Sequence, residues 1–585
     1  MDAQTRIKKR KVPLITPIVS IAVCVIMAAL VYYFPRAATG LNYKLYDFKL
    51  SLAGPPEKDP SIVHLDVDDA SIHQYGQWPW DRALSGKIVE RLAEMGAKAV
   101  VFDILYTAGG KSEKGNNEFF DAVKKADNVV SAFAGSISKK ENEPLKLEVD
   151  RARGDALYDR SWQIGVPNRY ELFKITRLGT ALTPLKPLID FSKQIGHIKA
   201  TPDADGIHRR VPLFLRIEDR CVPALSLAAL AVCWNLDPNI DVTLSKDSNY
   251  VVVKHGHEVM NIPVDASGML TVNWGIMWKS FPRYYAKDVL SDEPDPSRAA
   301  RYKDKVVVVG VTYTGNTDIG VTPRGVDAAL SRIHSNALNT ILTKSFIVVV
   351  PQFPYLAIAA VVLSVLLTLL VIRVPLKLGI VAALSVIVSA VAISISAFVH
   401  WRHEIPIVEF LIIFTPGTAA ALIGRAVSIE LQGAKASRAL ERYLSPQLLE
   451  NIMESGKELD LSTKRSELTI MFVDIEGFST ISETVEVELI NQLLNDFFDG
   501  ATQAVFEHGG TVDKFLGDGM LAFFGDPIPL ENHAKAAVRA ALQMQADMKG
   551  LNAKWSRSGL PEFQQKGIRI RIGLNTGMVV AGNIG

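Results

Sequence analysis

Cysteine is scarce, 3 in 585 residues, too few to frame so long a chain with disulfides. Cys24 falls in an apolar run, where a small buried hydrophobe is the ordinary role. Cys221 and Cys233 share one segment and leave a single pairing open, whose geometry sequence does not supply. Excess charge is missing too. A net charge of +2 argues against nucleic acid as a partner. The long apolar runs hold almost no ionisable side chains, so the chain lacks the intramembrane charges of a channel or transporter. What it has is length, enough for about three or four units at roughly 150 residues each, and a hydrophobic content of 48% gathered into a few runs.

The first run, Val12 to Phe34, is long enough to cross a bilayer as a helix. It follows the basic stretch "RIKKRK" in residues 1–11. A cleaved signal peptide has an apolar region of only about 7 to 15 residues, so this run reads as an uncleaved anchor, transmembrane helix 12–34, with its N-terminus in the cytoplasm. Three further runs, Tyr355–Ile372, Leu378–Val399 and Ile405–Gly424, form a triplet within 355–424. Arg373 and Lys377, and then Arg425, Lys435 and Arg438, mark cytoplasmic loops. Four spans close the parity: residues 35–350 lie outside and those after 425 inside. Glu409, one turn into the last span, is expected to snorkel or to pair near the interface.

In the outer segment helical and strand patterns alternate. "SIVHLDVDD", "KAVVFDIL" and "KVVVVGVT" read as strands, and "ALSGKIVERLAEMGA" reads as a helix ending at Gly96. This rhythm predicts an α/β unit with a largely parallel sheet. Asp66 and Asp103 fall near strand ends, the edge where such sheets place ligand clefts; capping a helix or holding a turn is an equal alternative. The blocks "VHLDVDDASIHQYGQWPWDR", "GAKAVVFDILY", "ATPDADGIHRRVPLFL", "IPVDASGMLTVNW" and "KVVVVGVTYTGNTD", followed by the triplet of spans, resemble the extracellular sensory domain of the cyclase and histidine-kinase-associated type, second class. The resemblance implies a signal-receiving domain and names no ligand; no residue there has metal-ligand spacing.

Residues 425–460 read as a helical connector. Val427, Leu431 and Ala434, then Leu440, Leu444, Leu448 and Ile452, recur at three-, four- and six-residue steps, consistent with pairing to a second copy. Ser445 and Pro446 make an N-cap and first-turn proline for a new helix.

Residues 465–585 carry the chemistry. Leu468 to Val473 reads as a strand ending in Asp474, and the loop after it leads into a helix. The N–H groups of Gly477, Phe478 and Ser479 can face an anion there while Asp474 holds a cation against it. An amphipathic helix to Gly509 follows, then "GGTVDKFLGDGMLAFFGDP", two strands on a Gly-Asp-Gly turn, then a helix from Asn532 to Leu551 and a strand at Ile568–Ile572. The order β-α-β-β-α-β is that of an α+β, ferredoxin-like unit. It allows Asp474 and Asp518, 44 positions apart, to meet. Two close carboxylates raise one another's pKa unless cations neutralise them, and divalent cations bridging them suit an in-line displacement at phosphorus.

"FVDIEGFS", "DKFLGDGMLAFFG" and "RIGLNTGMVVAGNIG", in order and at that spacing, resemble the class III nucleotidyl cyclases. The resemblance implies two divalent cations, Mg²⁺ or Mn²⁺, on Asp474 and Asp518 with the Ile475 carbonyl. It implies Lys514 as the base-reading residue, where lysine suits adenine. The reaction implied is conversion of ATP to 3′,5′-cyclic AMP and pyrophosphate, in a homodimer where the metals come from one chain and the lysine from the other. The expected whole is a multidomain integral membrane protein of a bacterial inner membrane, whose outer sensor answers an unidentified ligand or signal. The family's second base-reading residue and its transition-state Asn and Arg fall beyond Gly585, so the sequence predicts that this chain alone is a truncated form with negligible activity. Guanylate cyclase, disfavoured by Lys514, and a non-catalytic receptor that keeps the domain for dimerisation are the alternatives.

Overall fold

The computed structural model describes residues 15–138, 146–147, 150–166, 175–247, 249–274, 281–293, 295–315, 319–350, 353–440, 464–526, 529–558 and 567–581. Two compact units emerge, Leu14–Leu422 and Ile423–Gly585, the latter grouped with Met1–Pro13.

The first unit opens with the apolar helix α1 (Ile15–Tyr33) and, after Pro35, a second helix, α2 (Arg36–Leu52). Apolar periodicity hides α2, because its buried stripe mixes Ala38, Tyr46 and Leu50 with Asn42 and Lys49. The α/β core follows. Strand β1 (Ile62–Val67) leads through α3 (Arg82–Glu94) to β2 (Ala99–Phe102), and α4 (Glu113–Ala126) leads to β3 (Val129–Ile137). Strands β4 (Gln194–His197), β5 (Arg283–Tyr285) and β6 (Val306–Val311) complete a parallel sheet in the order β5-β1-β6-β2-β3-β4. Leu178–Leu182 extends it antiparallel to β3.

Alternation along these strands builds two cores, as a doubly covered sheet requires. Val63, Leu65, Val307 and Val309 face α3 and α4, while Ile62, Val306 and Val308 face α5 (Leu225–Trp234) and α6 (Ser331–Leu342). On that second face Asp66 is buried, and the reason is α6. Arg332, with no exposed surface, donates from Nη2 to both Asp66 oxygens at 2.9 and 2.8 Å, and Arg283 Nε adds a bond of 2.7 Å. Asp66 therefore neither caps a helix nor opens into a cleft; it is the counter-charge of a buried arginine. The Asp103 N–H donates to the Val309 carbonyl across the sheet.

Beyond α6 the strand β7 (Val348–Val349) enters α7 (Phe353–Arg373), α8 (Leu376–Trp401) follows, and β8 (His403–Glu404) pairs in parallel with β7 before α9 (Val408–Leu440). Among the described residues four helices, α1, α7, α8 and Val408–Ala434 of α9, are long and apolar enough to cross a membrane. Ser20 joins them from within, donating from Oγ to the Gly417 carbonyl at 2.8 Å and lying 3.1 Å from Thr368 Oγ1. Glu409 is paired: Asn42 Nδ2 donates to its two oxygens at 2.8 and 2.9 Å. Cys24, Cys221 and Cys233 are separate buried thiols. Helix α9 continues through Val427, Leu431 and Ala434 to Leu440 without interruption; Leu444, Ser445, Pro446, Leu448 and Ile452 lie outside the described residues.

The second unit is built on β9 (Lys464–Ile475), followed by the short helix α10 (Phe478–Thr484) and the long α11 (Val487–Glu507). The hairpin of β10 (Thr511–Leu516) and β11 (Gly519–Phe524), then α12 (His533–Trp555) and β12 (Ile570–Ala581), complete it. The sheet runs β10-β11-β9-β12, every pair antiparallel. Strand β9 extends past both ends of the span read from sequence, because it is central and β12 pairs with it from Lys464 to Ile475. For the same reason β12 runs on through Gly573 and Gly577. One face of the sheet packs Met471, Val473, Met520, Ala522 and Phe524 against α11 and α12; among the described residues no helix of this unit covers the other.

Candidate active site

Asp474 and Asp518 arrive together from different elements. Asp474 stands near the end of β9, and its register partner is Gly519, the first residue of β11. The residue just before Gly519 in the turn is Asp518, so the antiparallel register alone carries it to the Asp474 end of the sheet. Gly519 permits the approach: a Cβ there would lie 2.9 Å from the Val473 carbonyl oxygen. Asp518 titrates above its usual range, pushed up by its partial burial and then by the nearby Asp474 carboxylate, as expected of neighbouring acids. Among the described residues no group of three or more His, Cys, Asp or Glu could hold a metal ion, so the pair would need oxygens from elsewhere, such as a backbone carbonyl or substrate phosphates. Hard divalent cations accept both kinds. Ile475, buried in the helix-facing core, pairs in register with Ile570.

Lys514 reaches the helix-free face through an irregularity. Register is lost between Val512 and Lys514, so Lys514 pairs with Leu521 and Asp513 is the extra residue of a bulge. Leu521 in turn pairs with Phe472, which is 53% exposed, so Lys514 shares the open face with Asp474. In an unbroken strand Lys514 would point the same way as buried Val512, into the core. An apolar residue and a lysine at i and i+2 were the sequence signal for the bulge. Lys514 Nζ lies 3.2 Å from Asp513 Oδ2, and β11 stands between Lys514 and Asp474, a separation of two strand spacings, roughly 10 Å.

Gly477 is the N-cap of α10 and brings no side-chain cap. The first-turn N–H groups of Phe478 and Ser479 therefore have no acceptor of the kind a capping Ser or Asp supplies. Arg571, the register partner of Asp474 on β12, is exposed on the same face and was not singled out by sequence.

Among the described residues, four helices of membrane-spanning length, a parallel α/β unit and a separate antiparallel unit bearing neighbouring acids define the class: a chain that joins an α/β domain to an antiparallel α+β domain. The chain belongs to the CHASE2 family, whose domain model matches residues 21–373, more than half of its length. Residues 461–585 match the model of the Adenylate and Guanylate cyclase catalytic domain. The chain is similar to Adenylate cyclase 1 of Rhizobium meliloti (strain 1021), 36% identical over 143 residues, 24% of this chain and 21% of that protein. It is equally similar to an adenylate cyclase of Anabaena cylindrica, 36% identical over 146 residues, 24% of this chain and 26% of the relative. It thus spans about a fifth to a quarter of these relatives. Among solved structures it is similar to the adenylyl cyclase CyaB from P. aeruginosa, with 39% identity, 21% of this chain and 63% of that chain covered, and a TM-score of 0.20.

Proposed function

We propose that the chain is a membrane-bound adenylate cyclase that converts ATP to 3′,5′-cyclic AMP and pyrophosphate, under the control of an extracytoplasmic sensor. The meeting of Asp474 and Asp518 at adjoining register positions of β9 and the β10–β11 turn carries the reading. With it stand the 36% identity to proteins named adenylate cyclase and a sheet order and connectivity that fit the ferredoxin-like unit.

Divalent cations, Mg²⁺ or Mn²⁺, held by Asp474, Asp518 and the Ile475 carbonyl would supply charge neutralisation and activation of a hydroxyl at the α-phosphorus. The protein's own groups do the rest. Asp474 and Asp518 stay ionised once their repulsion is neutralised. The N–H groups of Gly477, Phe478 and Ser479 receive phosphate oxygens at a helix start. Lys514 donates to an acceptor on the base edge; the roughly 10 Å between it and Asp474 of its own chain is consistent with a nucleotide held between two subunits, Lys514 serving its partner's site. Domain limits follow: a basic N-terminus at 1–11, transmembrane helices at 12–34 and 355–424, the sensor at 35–350, a connector at 425–460 and the catalytic domain at 465–585.

The decisive assay follows cyclic nucleotide and pyrophosphate formation by the membrane-embedded protein with ATP or GTP. Asp474→Ala is expected to abolish product, and ATP to be used over GTP. Unchanged output from Asp474→Ala would leave a non-catalytic receptor, and preference for GTP would make it a guanylate cyclase. For topology, a periplasm-active reporter fused within residues 60–300 is expected to be active and one after 430 silent.

A further inference from the structure

Helix α6 carries polar side chains on its buried face that nothing beneath them satisfies. Of the guanidinium nitrogens of Arg332, a residue with no exposed surface, only Nη2 is engaged, on the two Asp66 oxygens. Its Nε and Nη1 are buried with no hydrogen-bond partner. Ser331 beside it is 4% exposed, and its Oγ is buried and unpartnered too. So are Ser335 Oγ, one turn on, and Thr312 Oγ1, just past β6. Buried polar groups in folded proteins are nearly always bonded, because leaving one unmade costs more than making it gains. A guanidinium and hydroxyls left over at one helix start therefore point to an acceptor that binds there.

These groups are brought to one edge of the sheet. Asp66 and Gly310 are register partners near the C-terminal ends of β1 and β6. Arg332 reaches the first, and a Cβ on the second would lie 3.3 Å from Ser331 Oγ, so the first turn of α6 sits directly on that edge. Thr312 is tied to the same edge, its N–H donating to the Val67 carbonyl at 2.9 Å. Helix α6 is 12 residues long, and Leu330 before it supplies no side-chain cap. A helix start favours negative charge. The C-terminal edge of a parallel sheet is also where open α/β units hold their ligands. Thr314 and Gly315, both exposed, bring solvent within two residues of Thr312.

We propose that the start of α6 binds a small carboxylate, held by the unpartnered N–H groups of Arg332 and the hydroxyls of Ser331 and Thr312. The choice of anion follows from Asp66. A dianion such as phosphate would stand against that carboxylate across one guanidinium, whereas a singly charged planar anion matches the guanidinium geometry and adds the least repulsion. Arg332 then has two tasks, Asp66 on one nitrogen and the ligand on the others. Helix α6 leads through β7 into α7, so the bound anion bears on the segment that enters the second membrane-length helix. The inference gives the sensor proposed above a ligand class; its test uses no nucleotide, so it and the cyclase reading can fail separately.

Cys221 supplies the readout: it is 0% exposed in the core that α5 and α6 share, and reacts only when the unit opens. Its alkylation is followed in the full chain in lipid nanodiscs, with sodium acetate as the probe against sodium chloride and phosphate at matched ionic strength. Acetate is expected to slow the reaction saturably with binding, by about tenfold at ten times its half-saturating concentration. Ser331→Ala removes a hydroxyl that has no partner to lose, so its rate without acetate is expected within about threefold of the unaltered protein, while the half-saturating concentration rises by about tenfold. Arg332→Met with Asp66→Leu removes the charges together and is expected to lose the acetate effect altogether; should that double variant fail to fold, Ser331→Ala still decides. Acetate that does no more than chloride would overturn the site, as would an acetate effect undiminished in Ser331→Ala. Phosphate acting at lower concentration than acetate would overturn the assignment to a carboxylate.

Discussion

Replacing Arg332 by Met should loosen the α/β unit by an amount the structure sets. Arg332 and Asp66 are 0% and 1% exposed, so the substitution leaves a carboxylate buried without its main partner. Removing one member of such a pair costs about 3–5 kcal/mol. Arg283, 24% exposed, still holds Asp66 Oδ2, which places the loss toward the lower end. Cys221 reports it. The thiol packs in the core that α6 completes, is 0% exposed and is pushed up to about 12 by burial, so it reacts only when the unit opens. At tenfold for each 1.4 kcal/mol, alkylation of Cys221 should quicken roughly 100- to 4,000-fold, read by peptide mapping so that Cys24 and Cys233 are scored apart. Adding Asp66→Leu removes the orphaned charge and should return the rate to near that of the unaltered protein. A single variant within about threefold of the unaltered rate, or a double variant as labile as the single, would refute the account of Asp66 as a counter-charge.

Three further outcomes are expected. His334 of α6 is buried and its imidazole is pushed down to about 4, below its unfolded value, so the neutral form is the folded one; stability should fall as pH drops from about 6.5 through 4, by about 3 kcal/mol in all, and thermal unfolding of His334→Leu should lose that component. Deleting Asp513 removes the bulge and sets Lys514 directly after Val512, still paired with Leu521 on the open face of a now regular ladder. The prediction is a hairpin that stays folded, with amide exchange in Thr511–Phe524 no faster than in the unaltered protein; faster exchange throughout would mean that Asp513 is not the extra residue. Gly417→Val would drive a side chain into Cys24 Sγ at the contact of α1 and α9; the expected result is a lower melting temperature in nanodiscs and a Cys24 that becomes reactive, and neither change would mean the helices are not packed there.

Much of the architecture was legible because it rests on local patterns. Apolar runs free of charge mark four spans, since a lipid-exposed helix must be apolar all round. Continuous apolar strands such as "KVVVVGVT" mark a sheet buried on both faces. Helix α2 was not legible, because Asn42 and Lys49 sit inside its buried stripe and read as solvent-facing until their partners Glu409 and Glu404 are known. Asp66 was ambiguous for the same reason, its partner Arg332 lying 266 positions away.

The candidate site divides along the same line. Sequence alone determined which residue types are present, that Asp474 ends a strand region and that Asp518 sits in a tight turn, because these depend on neighbours in the chain. Only the tertiary structure decided that the two acids stand at adjoining register positions, that a bulge at Asp513 turns Lys514 to their side of the sheet, and that Lys49 and Glu404 close on one another at the root of α9. Each of these is a matter of register or burial between distant segments, and the free energy of a buried charge depends on what has been folded against it.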